Sequence, residues 1–222
     1  MTRPRALLSW SSGKDAAWAL HVLREQDEVK VVGLLTTTNE AFERVAMHGV
    51  REDLLEAQAE AVGLPIWKVP LPWPCSNEAY EARMAETCAQ AVQEGIQYMA
   101  FGDLFLEDVR DYRIQKLQGT GLKPLFPLWN LDTAVLALAM VEAGLKATLA
   151  CVDSRVLDSR FAGRNFDAAF LAELPASVDP CGEHGEFHTF VWDGPMFQRP
   201  LAVHRGDVVE RDGFVFADLV KA

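Results

Sequence analysis

The sequence lacks the features that would place it in an oxidising compartment or in a membrane. Its 222 residues include four cysteines, and no two of them form a CxxC pair or a zinc-finger spacing. The longest apolar run, at 134–141, has eight residues, which is too few to cross a bilayer. No charged segment followed by an apolar stretch opens the chain in the manner of a signal peptide. We therefore expect a cytoplasmic protein with free thiols and no membrane partner.

Basic residues are also scarce. The chain has 21 Lys and Arg against 32 Asp and Glu, which gives a formal net charge of −11. Such a field repels polyphosphate backbones, and no local basic patch interrupts it. We therefore expect no nucleic-acid partner. The composition, 50% hydrophobic and 24% charged, is that of an ordinary globular protein and excludes a disordered chain.

Strand and helix signals alternate along the first 130 residues. Apolar runs at 29–36 and 98–101 alternate with helical spacings at 15–26, 50–62 and 77–94, with Asn77 as the expected cap of the last helix. This order predicts a parallel sheet covered by helices. After about residue 130, one helix is followed mainly by strands. We therefore predict an α/β domain over 1–130 and a smaller α+β lobe over 131–222.

The strongest local signal is Ser9-Trp10-Ser11-Ser12-Gly13-Lys14-Asp15-Ala16, where a strand leads through small residues into a helix. Small residues let the backbone curl and aim several N–H groups at one point. The helix N-terminus adds roughly half a positive charge there, so the turn can hold an anion. The G-x-x-x-x-G-K-[ST] spacing of a Walker A loop is absent. The alternative is a plain strand-to-helix turn capped by Ser12.

Residues 11–16 resemble the S-G-G-K-D-S loop of the ATP pyrophosphatases, which form adenylates within the HUP-type α/β fold. The matching positions are Ser11, Gly13, Lys14 and Asp15. Ser12 replaces a glycine, and Ala16 replaces a serine whose hydroxyl contacts phosphate in the family. The Ser12 hydroxyl could compensate for the one that is lost at Ala16.

Residues 181–189, Cys-Gly-Glu-His-Gly-Glu-Phe-His-Thr, closely resemble the C-G-E-x-G-E-F-H-T segment of the diphthine–ammonia ligase subfamily of these enzymes. Gly102-Asp103 and the stretch 109–128 fit the same pattern more loosely. The resemblance runs from residue 6 to about residue 197. It implies a HUP-like, Rossmann-like five-stranded parallel sheet flanked by helices, and a smaller C-terminal lobe that closes over the nucleotide.

The 181–189 segment allows three interpretations from its residues alone. Glu183, His184, Glu186 and His188 could orient a substrate or move protons, since carboxylates and imidazoles are the usual acid–base groups. Cys181 with the two histidines could instead bind zinc. The third interpretation is a glycine-rich hairpin with a solvated charged face. We favour a loop that serves the acceptor substrate, and we expect no structural zinc.

Two strand ends supply further candidates. The resemblance implies that Thr37 and Asn39, after the second strand, contact the adenosine, although turn chemistry is the alternative. Gly102-Asp103 ends the fourth strand at the same sheet edge. Asp103 could bind magnesium together with Asp15, or it could cap the next segment. The charge run at 107–113 is typical of a solvated face, but Arg110 or Arg113 could offset phosphate charge.

The resemblance implies an ATP-dependent ligase similar to the diphthine–ammonia ligases, with Mg²⁺ as its metal. A carboxylate acceptor, which could be part of a protein, would attack the α-phosphate, and ammonia would then displace AMP. A module that holds ATP or AMP without turnover is the alternative; tRNA sulfuration ranks last because paired cysteines and a basic face are missing. A homodimer is a further possibility. The residues predicted to bind ATP are Ser11, Ser12, Gly13, Lys14, Asp15, Thr37, Asn39, Gly102 and Asp103. The predicted acceptor contacts are Glu183, His184, Glu186 and His188, and the predicted catalytic residues are Lys14, Asp15 and Glu186.

Overall fold

The computed structural model describes residues 2–41, 44–45 and 50–222, which form two sheets. The strands of the first sheet are β1 (Arg5–Ser9), β2 (Lys30–Asn39), β3 (Arg44–Val45), β4 (Ile66–Leu71), β5 (Tyr98–Ala100) and β6 (Lys123–Leu125). Five of them are parallel, in the spatial order β4-β2-β1-β5-β6. The short β3 pairs antiparallel with the end of β2. The predicted five-stranded parallel sheet is therefore confirmed.

Helices connect the parallel strands and cover the sheet. They are α1 (Lys14–Gln26), α2 (Glu52–Val62), α3 (Asn77–Gln93) and α4 (Glu107–Leu117). The cap of α3 is Ser76, whose side chain accepts a hydrogen bond from the Ala79 amide at 3.2 Å, so the prediction of Asn77 as the cap was wrong by one residue. A serine hydroxyl in extended backbone satisfies an unpaired amide of the first turn. Among the described residues, no helix is long and apolar enough to cross a membrane.

The strand order indicates a ligand site between β1 and β5. From β1 the chain passes through α1 to β2 on one side, and it later returns through α3 to β5 on the other side of β1. The connections therefore leave in opposite directions from β1 and β5, and a crevice opens between their carboxyl ends. In open α/β sheets, ligands bind at such a switch point.

The second half of the chain forms an antiparallel sheet, in the order β8-β7-β10-β9. Its elements are α5 (Thr133–Glu142), β7 (Lys146–Asp153), a 3₁₀ turn (Ser159–Phe161), α6 (Ala168–Glu173), β8 (Phe187–Asp193), β9 (Val203–Arg211) and β10 (Phe214–Lys221). This arrangement confirms the smaller α+β lobe. One hydrophobic cluster runs from Leu8 and Trp10 of the first half to Phe187 and Phe190 of the second. Because they share this core, the two sheets hold their loops in fixed positions against each other. The boundary near residue 130 stays a prediction.

Candidate active site

A cavity of about 250 Å³ lies at the switch point. The first half of the chain lines it with Ser9, Ser11, Gly13, Asp15, Gly102 and Asp103. The second half lines it with Cys181, Gly182, Glu183, Gly185, His188 and Thr189. The two segments singled out in the sequence, about 170 residues apart, therefore face one shared space.

The backbone of the 11–16 loop is tightly folded. Ser12 lies in the left-handed region, with a φ of 66°, at the position where the resembled loop has glycine. Its side chain is fully buried, and its hydroxyl donates to the Ser11 carbonyl rather than facing the cavity. The cap of α1 is Gly13, which has no side-chain cap, rather than Ser12. Ser12 is therefore not placed to replace the hydroxyl that Ala16 lacks.

The ammonium group of Lys14 is held between the two halves of the chain. Its Nζ donates to both carboxylate oxygens of Asp15, at 2.7 and 2.8 Å, and to the carbonyl of Cys181. The Lys14 amide donates to Thr189 Oγ1 at 3.0 Å. Burial alone would lower the pKa of Lys14, but the surrounding groups, led by the Asp15 carboxylate, together more than offset this effect, and the pKa is raised overall. Lys14 therefore stays charged and fastens the 181–189 segment to the loop.

Gln58 of α2 fixes the same junction from the opposite side. Its side chain is fully buried and donates to the Ser12 carbonyl at 3.0 Å and to the Val191 carbonyl at 2.6 Å. Its own oxygen accepts from Trp10 Nε1 at 2.9 Å. Removing a buried amide with these partners lowers the free energy of unfolding more than removing an exposed one, because the groups that it pairs would be left buried without a hydrogen bond. Gln58 therefore determines how the loop and β8 meet.

The Glu183 carboxylate lines the cavity and has a raised pKa. Its Oε1 accepts from the Leu104 amide at 2.9 Å, which joins the 181–189 segment to the chain after β5. Burial raises the pKa of Glu183 to about 7, and this hydrogen bond only partly opposes the effect. A carboxylate with such a pKa can gain or lose a proton near neutral pH.

Glu186, in contrast, organises the segment from inside. It is buried outside the lining of the cavity, and its two oxygens accept from the amides of Asp179 and His184, both at 3.0 Å. The Asp179 carboxylate in turn accepts from the amides of Cys181 and Glu183. This geometry favours a positioning role for Glu186. The acid–base role that we expected for it stays a prediction.

Asp103 and Asp15 both line the cavity, and their donor set fits magnesium. Burial raises the pKa of Asp103, against the lowering effect of Arg113. Among the described residues, Asp103 Oδ2 is buried without a hydrogen bond that meets the usual geometry, and it forms an ion pair with Arg113 Nε at 3.5 Å. Magnesium binds proteins through one or two carboxylates together with substrate phosphates, and these two aspartates can supply them. Gly102 is needed beside them, since a Cβ there would lie 2.8 Å from the Asp15 carbonyl carbon.

Some predicted residues are not brought to the cavity. Thr37 and Asn39, both described by the structure, lie outside its lining, and the Asn39 side chain accepts from the Ala41 amide at 2.9 Å, as the turn alternative predicts. His184 packs edge-on against Phe105. Within the described residues, no group of three or more His, Cys, Asp or Glu side chains is arranged to hold a metal.

Two further ionisable side chains of the 181–189 segment, His188 and Cys181, are uncharged. Burial lowers the pKa of His188, which lines the cavity, so its ring is neutral at pH 7. Burial raises the pKa of the Cys181 thiol to about 12, and its Sγ donates to the Thr133 carbonyl. His184 packs against Phe105 outside the lining of the cavity, and among the described residues no group of three ligating side chains is brought together, so the geometry does not favour the zinc interpretation.

Two residues that build the junction were not predicted from the sequence. Gln58 was part of a helix without being singled out, although it is a polar residue among the buried apolar positions of α2. A polar residue in such a position can be recognised from the sequence, and it indicates a structural role because a buried side-chain amide requires hydrogen-bond partners. Thr189 ended the recognised segment, but only the fold reveals that its hydroxyl meets the Lys14 amide.

Replacing Gln58 by Met should lower the free energy of unfolding by about 1–3 kcal/mol, because the Trp10 indole N–H and the two carbonyls lose their partner. It should also weaken ATP binding, because the loop is no longer fixed. Denaturant unfolding and calorimetry measure the two effects. Gln93→Met on the exposed face of α3 is the matched control, and equal effects of the two variants would refute this role.

Known proteins similar to the chain cover most of its length. Residues 4–124 match the diphthamide synthase N-terminal domain, and residues 132–218 match the diphthamide synthase C-terminal domain. The diphthine–ammonia ligase of Danio rerio is 33% identical over 177 residues, which is 72% of this chain and 68% of the relative. Those of Homo sapiens and Bos taurus are 28% and 25% identical over 179 residues, 73% of this chain and 67% of each relative.

Proposed function

Because the chain belongs to the diphthamide synthase family, we propose that it is an ATP-dependent ligase that activates a carboxylate as an acyl adenylate and then joins it to ammonia. The observation that carries this proposal is the shared cavity. It combines an anion-binding turn at the N-terminus of α1 with a buried carboxylate, Glu183, whose pKa is about 7. A nucleotide and a proton acceptor are the two requirements of such a reaction.

In the first step, a carboxylate oxygen of the acceptor bonds to the α-phosphorus of ATP. The bond between the α-phosphorus and its bridging oxygen breaks, and pyrophosphate leaves. The 11–16 loop would hold the phosphates, since its helix N-terminus attracts negative charge. Asp15 and Asp103 would hold Mg²⁺, which neutralises phosphate charge when it is bound. Lys14 keeps Asp15 in place and, through the Cys181 carbonyl, holds the 181–189 segment over the site.

In the second step, the nitrogen of ammonia bonds to the acyl carbon, the bond between that carbon and the phosphate oxygen breaks, and AMP leaves. The nitrogen then loses one proton to water, which gives the amide. Ammonium is not a nucleophile, so it must first give a proton to a base. Glu183 is suited to accept that proton, because its carboxylate faces the cavity and titrates close to neutral pH. Nucleotidyl transfer otherwise needs alignment and charge stabilisation rather than a covalent intermediate with the protein.

The proposal is tested by the products of ATP. The protein is incubated with ATP, Mg²⁺, ¹⁵N-ammonium and a protein that carries diphthine, and ³¹P NMR identifies the phosphates. We expect AMP and pyrophosphate in amounts equal to the amide that forms. A module that only holds ATP or AMP would bind the nucleotide without forming AMP, and that result would refute the proposal. Diphthine as the acceptor, the cytoplasmic location and the homodimer stay predictions.

Ala16→Ser should tighten binding of ATP by about 1 kcal/mol, the net value of one hydrogen bond. Ala16 lines the cavity, so the added hydroxyl would face the phosphates, which the buried Ser12 hydroxyl does not. Calorimetry with ATP and with pyrophosphate measures the gain. Ala89→Ser on the exposed face of α3 is the control. Unchanged or weaker binding in a folded Ala16→Ser variant would mean that no phosphate lies at this position.

A further inference from the structure

The two edges of the second sheet differ in what covers them. At one edge, the first half of the chain covers β8: the Val191 amide donates to the Ser12 carbonyl at 3.0 Å, and the Val191 carbonyl accepts from Gln58. At the other edge, within the described residues, the backbone of 207–211 in β9 bonds to no segment other than β10. All of 207–211 is exposed. Such an edge presents N–H and C=O groups to which another strand can bond.

The turn that joins β9 to β10 determines which backbone groups of β9 point outward. Its two residues, Asp212 and Gly213, have φ angles of 52° and 80°, as in a type I′ hairpin. Arg211 and Phe214 flank the turn and lie opposite each other, so they form a hydrogen-bonded pair. The Gly213 carbonyl accepts from the Ser154 amide at 2.9 Å, on the side of β7, as the alternation of an antiparallel ladder requires.

The same alternation continues along β9. Val209 lies opposite Phe216 and bonds to β10 in the same way as Arg211. The N–H and C=O groups of Val208 and Glu210 therefore point away from the sheet. The register with β10 shifts beyond Val208, toward the start of β9, so the regular part of this edge runs from about 207 to the turn.

The charges of this edge are complementary to those of a second copy of the same edge. Two copies of β9 that pair antiparallel around a two-fold axis at Val209 place Asp207 of each copy opposite Arg211 of the other, so that opposite charges meet twice. This register also places Val208 opposite Glu210, which pairs their outward N–H and C=O groups. An axis at Glu210 would place like charges opposite each other, and an axis at Val208 would separate Asp207 from Arg211.

An apolar patch lies beside the same point of the edge. Val209 is 39% exposed, and it lies opposite Phe216, whose ring centroid is 6.4 Å from that of Phe214. Both phenylalanines are half-buried, whereas their neighbour Val215 on the other face of β10 is buried in the core. A two-fold axis at Val209 joins the patches of two copies and removes apolar surface from water.

We propose that β9 is the interface of a homodimer, in which two copies of the strand pair antiparallel around a two-fold axis at Val209. The pairing joins two four-stranded sheets into one continuous sheet. The contact is shorter than a standard interface, so the dimer should dissociate on dilution. Residues 207–211 lie outside the lining of the reaction cavity, and the inference is therefore independent of the proposed function.

The register is tested by exchanging charges. In sedimentation equilibrium from micromolar to millimolar concentration, the wild type should pass from monomer to dimer. Asp207→Arg and Arg211→Asp should each weaken the dimer about tenfold or more, because each sets like charges opposite each other twice. An equal mixture of these two variants should dimerise as the wild type does, since opposite charges meet again in the mixed pair. Circular dichroism verifies that both are folded.

Three outcomes of this experiment would overturn the proposal. They are a wild type that stays monomeric throughout, single variants that dimerise as tightly as the wild type, and a mixture that stays monomeric.

Hydrogen exchange followed by NMR tests the backbone contact itself. The amides of Val208 and Glu210 should exchange slowly in the concentrated wild type and rapidly in the dilute protein or in Asp207→Arg. The Val209 amide, which bonds to β10, should exchange slowly in all of them and is the internal control. Rapid exchange at Val208 and Glu210 in a protein that is dimeric would place the interface elsewhere and overturn the proposal.

Discussion

Glu183→Gln is expected to slow amide formation by about 10²- to 10⁴-fold, the usual contribution of a positioned general base. The side-chain amide introduced by this substitution keeps an oxygen for the hydrogen bond from the Leu104 amide, so the segment should stay in place. What the substitution removes is the negative charge and the ability to accept a proton. The rate of amide formation from ammonium, measured with ¹⁵N, reports the loss.

The pH profile distinguishes this chemical role from a structural one. The pKa of Glu183 is about 7 because of burial, so the carboxyl is protonated below that pH and cannot take a proton. The wild-type kcat/KM for total ammonium should therefore rise with pH up to about 7 and then level off, whereas Glu183→Gln should show no break near 7 and should keep rising as the fraction of free ammonia increases. Glu210→Gln on the exposed strand β9 is the control. A profile that Glu183→Gln leaves unchanged would contradict the role.

Lys14→Met should have the largest effect on the nucleotide. We expect ATP affinity to fall by about 1–3 kcal/mol, the range for a lost hydrogen bond to a charged group. Lys14 neutralises Asp15 and holds the Cys181 carbonyl, so its removal both adds a negative charge beside the phosphates and releases the 181–189 segment. Calorimetry with Mg²⁺-ATP measures the affinity.

The control for this variant is Lys30→Met, which removes an exposed lysine at the start of β2. Circular dichroism at the temperature of the titration verifies that both variants are folded, since the loss of a partner for Asp15 should also lower stability. If folded Lys14→Met bound ATP as tightly as Lys30→Met, the 11–16 loop would not be the nucleotide site.

The architecture could be predicted because its determinants are local. The alternation of apolar runs and helical spacings was sufficient to predict the helices α1 to α3. The two-residue β3 and three-residue β6 were not predicted as separate strands, because neither forms an apolar run, unlike the equally short β5. The cap of α3 was misplaced by one residue, since Ser76 and Asn77 are both good caps.

The candidate site could be predicted only in part. The residues of the two recognised segments were named, but their sequences do not tell which side chains face the cavity. Glu183 and Glu186 have the same chemistry and lie three residues apart, yet one faces the cavity and the other binds two amides of its own loop. Such a difference depends on the path of the backbone through Gly182 and Gly185, which both have positive φ angles.

A crystal structure with α,β-methylene-ATP and Mg²⁺ tests most directly whether ATP binds in the cavity shared by the 11–16 loop and the 181–189 segment. We expect the phosphates to lie against the N-terminus of α1, with the α-phosphate on the side of Glu183 and the metal at Asp15 and Asp103. A nucleotide whose phosphates lie outside this cavity, with Lys14 and Glu183 both away from them, would contradict the account.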